Sequence, residues 1–349
     1  MSLRALVVAF SLCSIVYSAP AISAVPAQSP SVMSAKTEHQ VRDDISAQAT
    51  KLLWNDGSFV EVDRAYRGYL SRGDRTPSGL WVHGVFANAV IGSLTQLYRP
   101  ATDKDWERVE AKTLAWTRSA PKSSLARIVH AESIRQRAWR IRGSGYSNTV
   151  PATAWKPFYA HILRARAYLT SQQALLADDP NYYATQIGLI RESPGGADPT
   201  PMYEAGIKRF PAYYPIYFSM LDHLLPKWHG DAESIEVFAQ AAAKRSRATE
   251  GRGLYARIYW YASQINYGDD LFAESKARWG AMKAGFDDVV ERYPDQWNLQ
   301  SYAKFACDAG DRATLAKLLK RIGTNYEDRA WGSRAKYESC RRMVSVSKR

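Results

Sequence analysis

From Thr37 onward, apolar residues recur three and four positions apart and no stretch keeps a sustained period of two, so the pattern predicts helices and no sheet. Val41, Ile45, Ala49 and Leu52 stripe a first helix over about 37–54, stopped by Asn55-Asp56-Gly57. Phe59, Val62, Tyr66 and Tyr69 stripe a second that ends at Gly73-Asp74. After Thr76-Pro77-Ser78-Gly79 a long apolar helix covers about 80–98, with Val82, Phe86, Ala89 and Leu97 inward. Thr102 and Asp105 have capping-box spacing, and Trp106, Val109, Thr113 and Trp116 carry the next helix toward Pro121. Ser124 is read as the cap of a fifth, striped by Leu125, Ile128, Ile134, Ala138 and Ile141, with Arg127, His130, Arg137 and Arg140 read as a solvated cationic face.

Gly143 to Thr153 is the longest turn-like stretch of the first half and is read as a subdomain boundary or a binding loop. Trp155, Phe158, Ile162, Ala165 and Leu169 mark the helix after it, and Tyr183, Ile187 and Ile190 a shorter one. Prolines and glycines between Pro194 and Pro201 predict a loop. In the second half, Gly-Asp pairs at Gly230-Asp231, Gly268-Asp269 and Gly310-Asp311 start 38 and 42 residues apart. Gly supplies the left-handed residue that ends a helix and the following Asp caps the next one. Such spacing is close to that of stacked helix-pair arrays. The expected fold is therefore an all-α solenoid of antiparallel helical hairpins, capped by a last helix over about 329–343.

The first residues change the picture of where the chain works. Met1 to Ala24 combine Arg4, an apolar run over 5–16 and a small-residue stretch, the layout of a cleaved secretory leader. The run is shorter than the roughly 20 residues of a membrane span. We read 1–24 as a signal peptide, 25–37 as a disordered lead-in rich in Ser, Pro and Ala, and 38–349 as the helical-repeat domain, in one or two lobes meeting near 143–153. The expected location is periplasmic or secreted, with no membrane span after cleavage. Net charge +13 then points to anionic envelope components or acidic partners and away from nucleic acid. Without the leader two cysteines remain, Cys307 and Cys340, and an oxidising compartment predicts that they pair.

The stretch 299–322, with its Ala309-Gly310-Asp311 hinge and Ala316, resembles the middle of a tetratricopeptide hairpin. More broadly, Thr76-Pro77-Ser78-Gly79-Leu80-Trp81, Trp139 to Tyr146, Leu225 to Gly230, Tyr255 to Trp260 and Ala306 to Asp311 resemble a bacterial domain-of-unknown-function family of helical hairpins. The resemblance implies a bacterial origin and this fold, and no activity.

No motif specifies a reaction, metal or cofactor. His223 and His229 are separated by Pro226, which breaks any shared helical face. Ser119-x-x-Lys122 and Ser301-x-x-Lys304 lack the accompanying Ser-Asp-Asn and Lys-Thr-Gly of serine acyl enzymes. Adjacent acid pairs such as Asp178-Asp179 diverge by roughly 100° on a helix and make no dyad. What is left is a surface: Trp228 and His229 in one hinge and Arg257, Trp260 and Tyr261 on the following helix, proposed to approach one another as a binding face. The expected function is a non-catalytic scaffold that binds a protein partner; the alternative is a glycan binder or an all-α glycan hydrolase.

Overall fold

In the computed structural model, which describes residues 36–55, 58–98, 102–228 and 230–345, the protein is all-α. The segment expected to be a signal peptide and most of the expected lead-in lie outside the described residues. Among those residues the sole β pairing is an isolated bridge between Arg75 and Trp81. The N-terminal helices are α1 (Glu38–Thr50), α2 (Phe59–Arg72), α3 (Val82–Tyr98), α4 (Asp103–Ser119), α5 (Ser124–Arg142) and α6 (Ala152–Ser171). There follow α7 (Gln173–Leu176), α8 (Pro180–Arg191), α9 (Thr200–Arg209), α10 (Tyr214–Leu224), α11 (Ala232–Arg245), α12 (Arg247–Glu250) and α13 (Gly253–Ala262). The C-terminal part comprises α14 (Leu271–Glu274), α15 (Trp279–Arg292), α16 (Gln296–Asp308), α17 (Arg312–Ile322), α18 (Asp328–Trp331) and α19 (Arg334–Ser345).

Polar side chains set many of the starts, though α5 is capped by Ser123 and not by Ser124: the Ser123 hydroxyl accepts from the Ala126 N–H. Thr37 and Thr102 close reciprocal capping boxes with Gln40 and Asp105. Asp231 and Asp311 cap α11 and α17, and Gly310 turns the chain with φ +72°, as the hinge reading expects, whereas Gly230 does not take the left-handed φ expected of it. The middle hinge differs. Gly268 does take a positive φ, but Asp269 caps nothing; it meets Lys304 and Lys336, and a short helical turn and an extended segment intervene before α15. The last helix is likewise divided, into α18 and α19, by left-handed Gly332.

Packing mostly follows sequence order: α4 on α5, α5 on α6, α6 on α8, α8 on α10, α10 on α13, α13 on α15, and α15, α16 and α17 in turn. Two apolar cores meet on α5, where Leu125, Ala126 and Val129 face one and Ile128, Ala131, Ile134 and Ala138 the other. This junction lies ahead of residues 143–153. It also revises the cationic face of α5. Arg127 and His130 are buried, and Arg137 is mostly so. Arg127 donates to the carbonyls of Ser123 and Pro121, His130 shares a hydrogen bond with Thr113, and Arg137 pairs with Glu110. Where α5 is covered by α4 and α6 it buries its arginine stems and needs partners for their heads, while Arg140 stays exposed as expected.

Contacts also run beyond sequential neighbours. His39 of α1 meets Trp297 edge-on at 4.7 Å between ring centroids and lies 3.6 Å from the Glu327 carboxylate, while Arg42 covers the same indole. The first helix thus touches the end of the chain.

Cys307 of α16 and Cys340 of α19 lie with Cα atoms 5.7 Å apart and Sγ atoms at disulfide distance. For cysteines 33 residues apart the chain-entropy model gives the bridge roughly 3–4 kcal/mol. Adding reductant should therefore lower the denaturant midpoint of the parent and leave Cys340→Ala unmoved. Equal midpoints with and without reductant in the parent would remove the bridge as a stabilising element.

Candidate functional site

The residues proposed as one face separate into two places. Arg257 and Trp260 are buried on α13 and turn toward the interior. Tyr261 stacks on Phe218 and donates to Asp222 at 3.3 Å, and Arg191 links that carboxylate to Trp228 by pairing with the first at 2.9 Å and covering the ring of the second. His229 lies outside the described residues. The structure therefore brings Trp228 and Tyr261 together through Arg191 and Asp222, and leaves Arg257 and Trp260 elsewhere.

Arg257 holds part of the chain itself. Between α2 and α3, residues 74–81 form a tight turn in which the Thr76 N–H donates to Leu80 O and the Gly79 N–H to Thr76 O. Gly79 has φ +93°, and a Cβ there would come within 2.7 Å of the Tyr293 ring, so both backbone and space demand glycine. The turn is buried. Arg257 and Asn298 donate to Ser78 O, at 2.7 and 3.2 Å, and the Ser78 N–H donates to Glu38. Arg75 lies flat on Trp81, 3.4 Å from the ring centroid, and pairs with Glu250 at 3.0 Å; both charged side chains are under 5% exposed. Trp81 Nε1 donates to Ala212 O. Trp260 packs beside this cradle on Phe286 and Trp297. The interior that an open array would offer to a ligand is occupied by the chain's own turn.

A second buried network lies nearby. Tyr66 donates to Asp179, Asn181 to the Tyr66 hydroxyl, Tyr213 to Asn181, and Ser124 to Asp179. Burial pushes the Asp179 carboxyl up despite these donors. His83 stacks on Tyr213 with centroids 5.1 Å apart, and neither ring nitrogen has a hydrogen-bond partner. Burial, with Arg75 adding to it, lowers the His83 imidazole to about 3.

An open groove lies on the other side of α5. It has a volume of about 520 Å³ and is lined, among the described residues, by Trp106, Glu132, Arg135, Gln136, Trp139 and Arg140. Arg135 bridges Glu132 at 3.1 Å and Glu192, and Arg191 adds a second guanidinium to Glu192 at 3.0 Å. Burial alone would raise the Glu192 carboxyl, but the two arginines outweigh it and hold the group below the usual range, hence ionised. At the mouth, the Arg142 guanidinium lies 5.0 Å from the Trp139 ring and 5.1 Å from that of Trp155. Trp155 stacks on Tyr159, Trp139 meets Trp228 edge-on, and Tyr146 in the following loop is 84% exposed.

Residue reasoning singled out this loop but not the partners around it. The available signal was Trp139 and Arg142 one helical turn apart, directly before Gly143, with Trp155 opening the next helix. Arg135 carried half of its signal: Glu132 stands three residues before it on α5, whereas Glu192 comes from the end of α8, 57 residues away. The two Ser-x-x-Lys stretches are not assembled as reactive sites: Ser119 donates to Trp116 O, and Ser301 is buried while Lys304 pairs with Asp269 and Asp308. No family model matches the chain, nor does any curated protein or solved structure.

Proposed function

We propose that this protein is a non-catalytic binding scaffold of the bacterial cell envelope, a tetratricopeptide-like array that recognises a protein partner at the mouth of the α5 groove. The supporting observation is Arg142 held between the Trp139 and Trp155 indoles beside exposed Tyr146. Trp, Tyr and Arg are the residue types that concentrate binding energy at protein interfaces, and the two rings hold a guanidinium that otherwise costs side-chain entropy to order. Exposed Arg140 and Lys156 give the same face a positive sign, which favours an acidic partner.

A photo-crosslinking residue at position 146, tested in an envelope fraction, should capture one defined protein, and Trp155→Ala should reduce that capture at least tenfold while the helical circular-dichroism spectrum stays that of the folded parent. The same probe at position 60, exposed on α2, is the control. Equal capture at both positions, or capture insensitive to Trp155→Ala, overturns the reading.

The glycan alternative draws on the same indole faces, against which sugar rings also stack. Its hydrolytic version needs a protonated acid in the groove. Here Glu192 is held ionised, while the carboxyls raised by burial, Asp63, Asp179 and Asp295, do not line the groove. Competition by soluble cell-wall fragments for the position-146 crosslink would select the glycan binder over the protein scaffold.

A further inference from the structure

The C-terminal helices carry a charge surplus that neither the groove nor the inner turn uses. Residues 312–345 hold nine Lys and Arg against three acids, a surplus of six out of the whole chain's +13. Some of these cations are engaged: Arg334 pairs with Glu338, and Lys336 with Asp308 and Asp269. Arg312, Lys317, Lys320 and Arg321 are exposed on α17, Lys317 and Lys320 opposite its buried residues Leu315, Leu318 and Ile322 and Arg312 and Arg321 on the two flanks. Arg342 is exposed on the outer side of α19, which packs against α17 through a face that buries Tyr337 and Cys340. None of these five cations has an ion pair among the described residues. The sequence adds Lys348 and Arg349 just beyond α19.

What lies between the cations narrows the partner. On α17 the exposed neighbours are Ala313 and Ala316, and on α19 Ala335 and Ser339, all small. The exposed large apolar residues, Val60, Tyr146, Leu163 and Val237, are all on other elements. The face therefore lacks the aromatic or aliphatic anchors that give a protein interface its energy, and the aromatic platforms on which single-stranded bases stack. Long flexible cations on a smooth floor suit a diffuse plane of negative charge, where each contributes independently of fixed geometry.

We infer that the outer face of α17 and α19 docks the protein on an anionic phospholipid surface, leaving the α5 groove free for its partner. The face and the groove lie on separate elements, so this inference stands apart from the proposed function. The lipid contact is electrostatic and peripheral; no helix among the described residues is long and apolar enough to cross a membrane.

The test is co-sedimentation with vesicles of phosphatidylcholine containing about a third phosphatidylglycerol, against phosphatidylcholine alone. Both parent and variant lack residues 1–24, whose apolar run would itself enter a bilayer. The parent should bind the anionic vesicles and be released by high salt, because exposed charges are screened over about 10 Å at 0.1 M. The triple variant Lys317→Glu, Lys320→Glu, Arg321→Glu should bind on the order of a hundredfold more weakly, at about fivefold per cation. All three side chains are exposed, so its melting temperature should match the parent's. Equal binding to both vesicle types, or an unaffected triple variant, overturns the inference. Tighter binding to a duplex oligonucleotide than to anionic vesicles at the same salt replaces the lipid with nucleic acid. Binding to poly-glutamate without vesicle binding replaces it with an acidic polypeptide.

Discussion

Arg75→Ala should lower the unfolding free energy by about 3–5 kcal/mol, the cost of leaving one member of a buried ion pair alone. The substitution strands Glu250, which is 4% exposed and which Arg75 reaches across 175 residues of sequence. Tyr214 still donates to that carboxylate and Arg292 lies 3.9 Å from it, but the first is neutral and the second is 40% exposed and at the limit of ion-pair distance, so the buried charge is compensated only in part. The same change removes the guanidinium stacked on Trp81 and its hydrogen bond to Gly79 O, so the turn loses its own internal brace. Arg75→Met combined with Glu250→Leu should cost clearly less than the sum of the two single changes, since neither charge is then orphaned. Chemical denaturation of the four proteins gives the cycle. A single-variant loss under about 1 kcal/mol would mean that the pair is solvated and that the turn does not close the interior.

That turn shows how far the sequence was legible. Helix positions and starts followed from local rules, because apolar spacing and caps act within a few residues: Thr37, Thr102, Asp231 and Asp311 all cap as their neighbours suggest. The Thr76-Pro77-Ser78-Gly79 loop was equally visible as a loop. Its destination was not. A polar loop between two helices ordinarily lies in solvent, and here it is buried because Glu38, Arg257 and Asn298, from three distant helices, satisfy both the N–H and the C=O of Ser78. The same long-range bonding explains why Arg257 and Trp260 read as a surface pair. Their residue types fit a recognition site equally well whether the bound segment is foreign or part of the chain, and helical spacing does not distinguish the two. Trp228 and Tyr261 do approach, through Arg191 and Asp222, since α8, α10 and α13 are neighbours in the packing order. The α5 groove was half legible, with the Trp139–Arg142 and Glu132–Arg135 spacings on view and the second acid of Arg135, Glu192, hidden in the fold.

Acidification should weaken the fold well before its carboxylates titrate, and the buried histidines His83 and His130 set that slope. Its imidazole falls from 6.5 to about 3 in the folded protein, because burial and the nearby Arg75 both oppose a positive charge. The unfolded chain therefore takes up a proton as pH drops through about 6.5 while the folded chain does not, so stability is full above 6.5 and declines toward pH 3. At about 1.4 kcal/mol per pH unit, roughly 2 kcal/mol is lost by pH 5 and on the order of 5 by pH 3 from this one group. His130, lowered to about 4 chiefly by burial, acts in the same direction. Asp63 and Asp179 oppose it lower down: burial raises both, so the folded state binds their protons first and gains stability as the pH falls through the carboxylate range. The window between pH 6.5 and 5 thus isolates the histidines. His83→Phe keeps an aromatic ring on Tyr213 and deletes two buried nitrogens that have no hydrogen-bond partner, so at pH 7.5 it should be within about 1 kcal/mol of the parent or more stable. By pH 5 it should exceed the parent by a further 2 kcal/mol or so. Denaturation midpoints for both proteins across this range decide the matter: parallel curves would show that His83 is solvated or paired when protonated, and that the packing between α3 and α10 is looser than the structure has it.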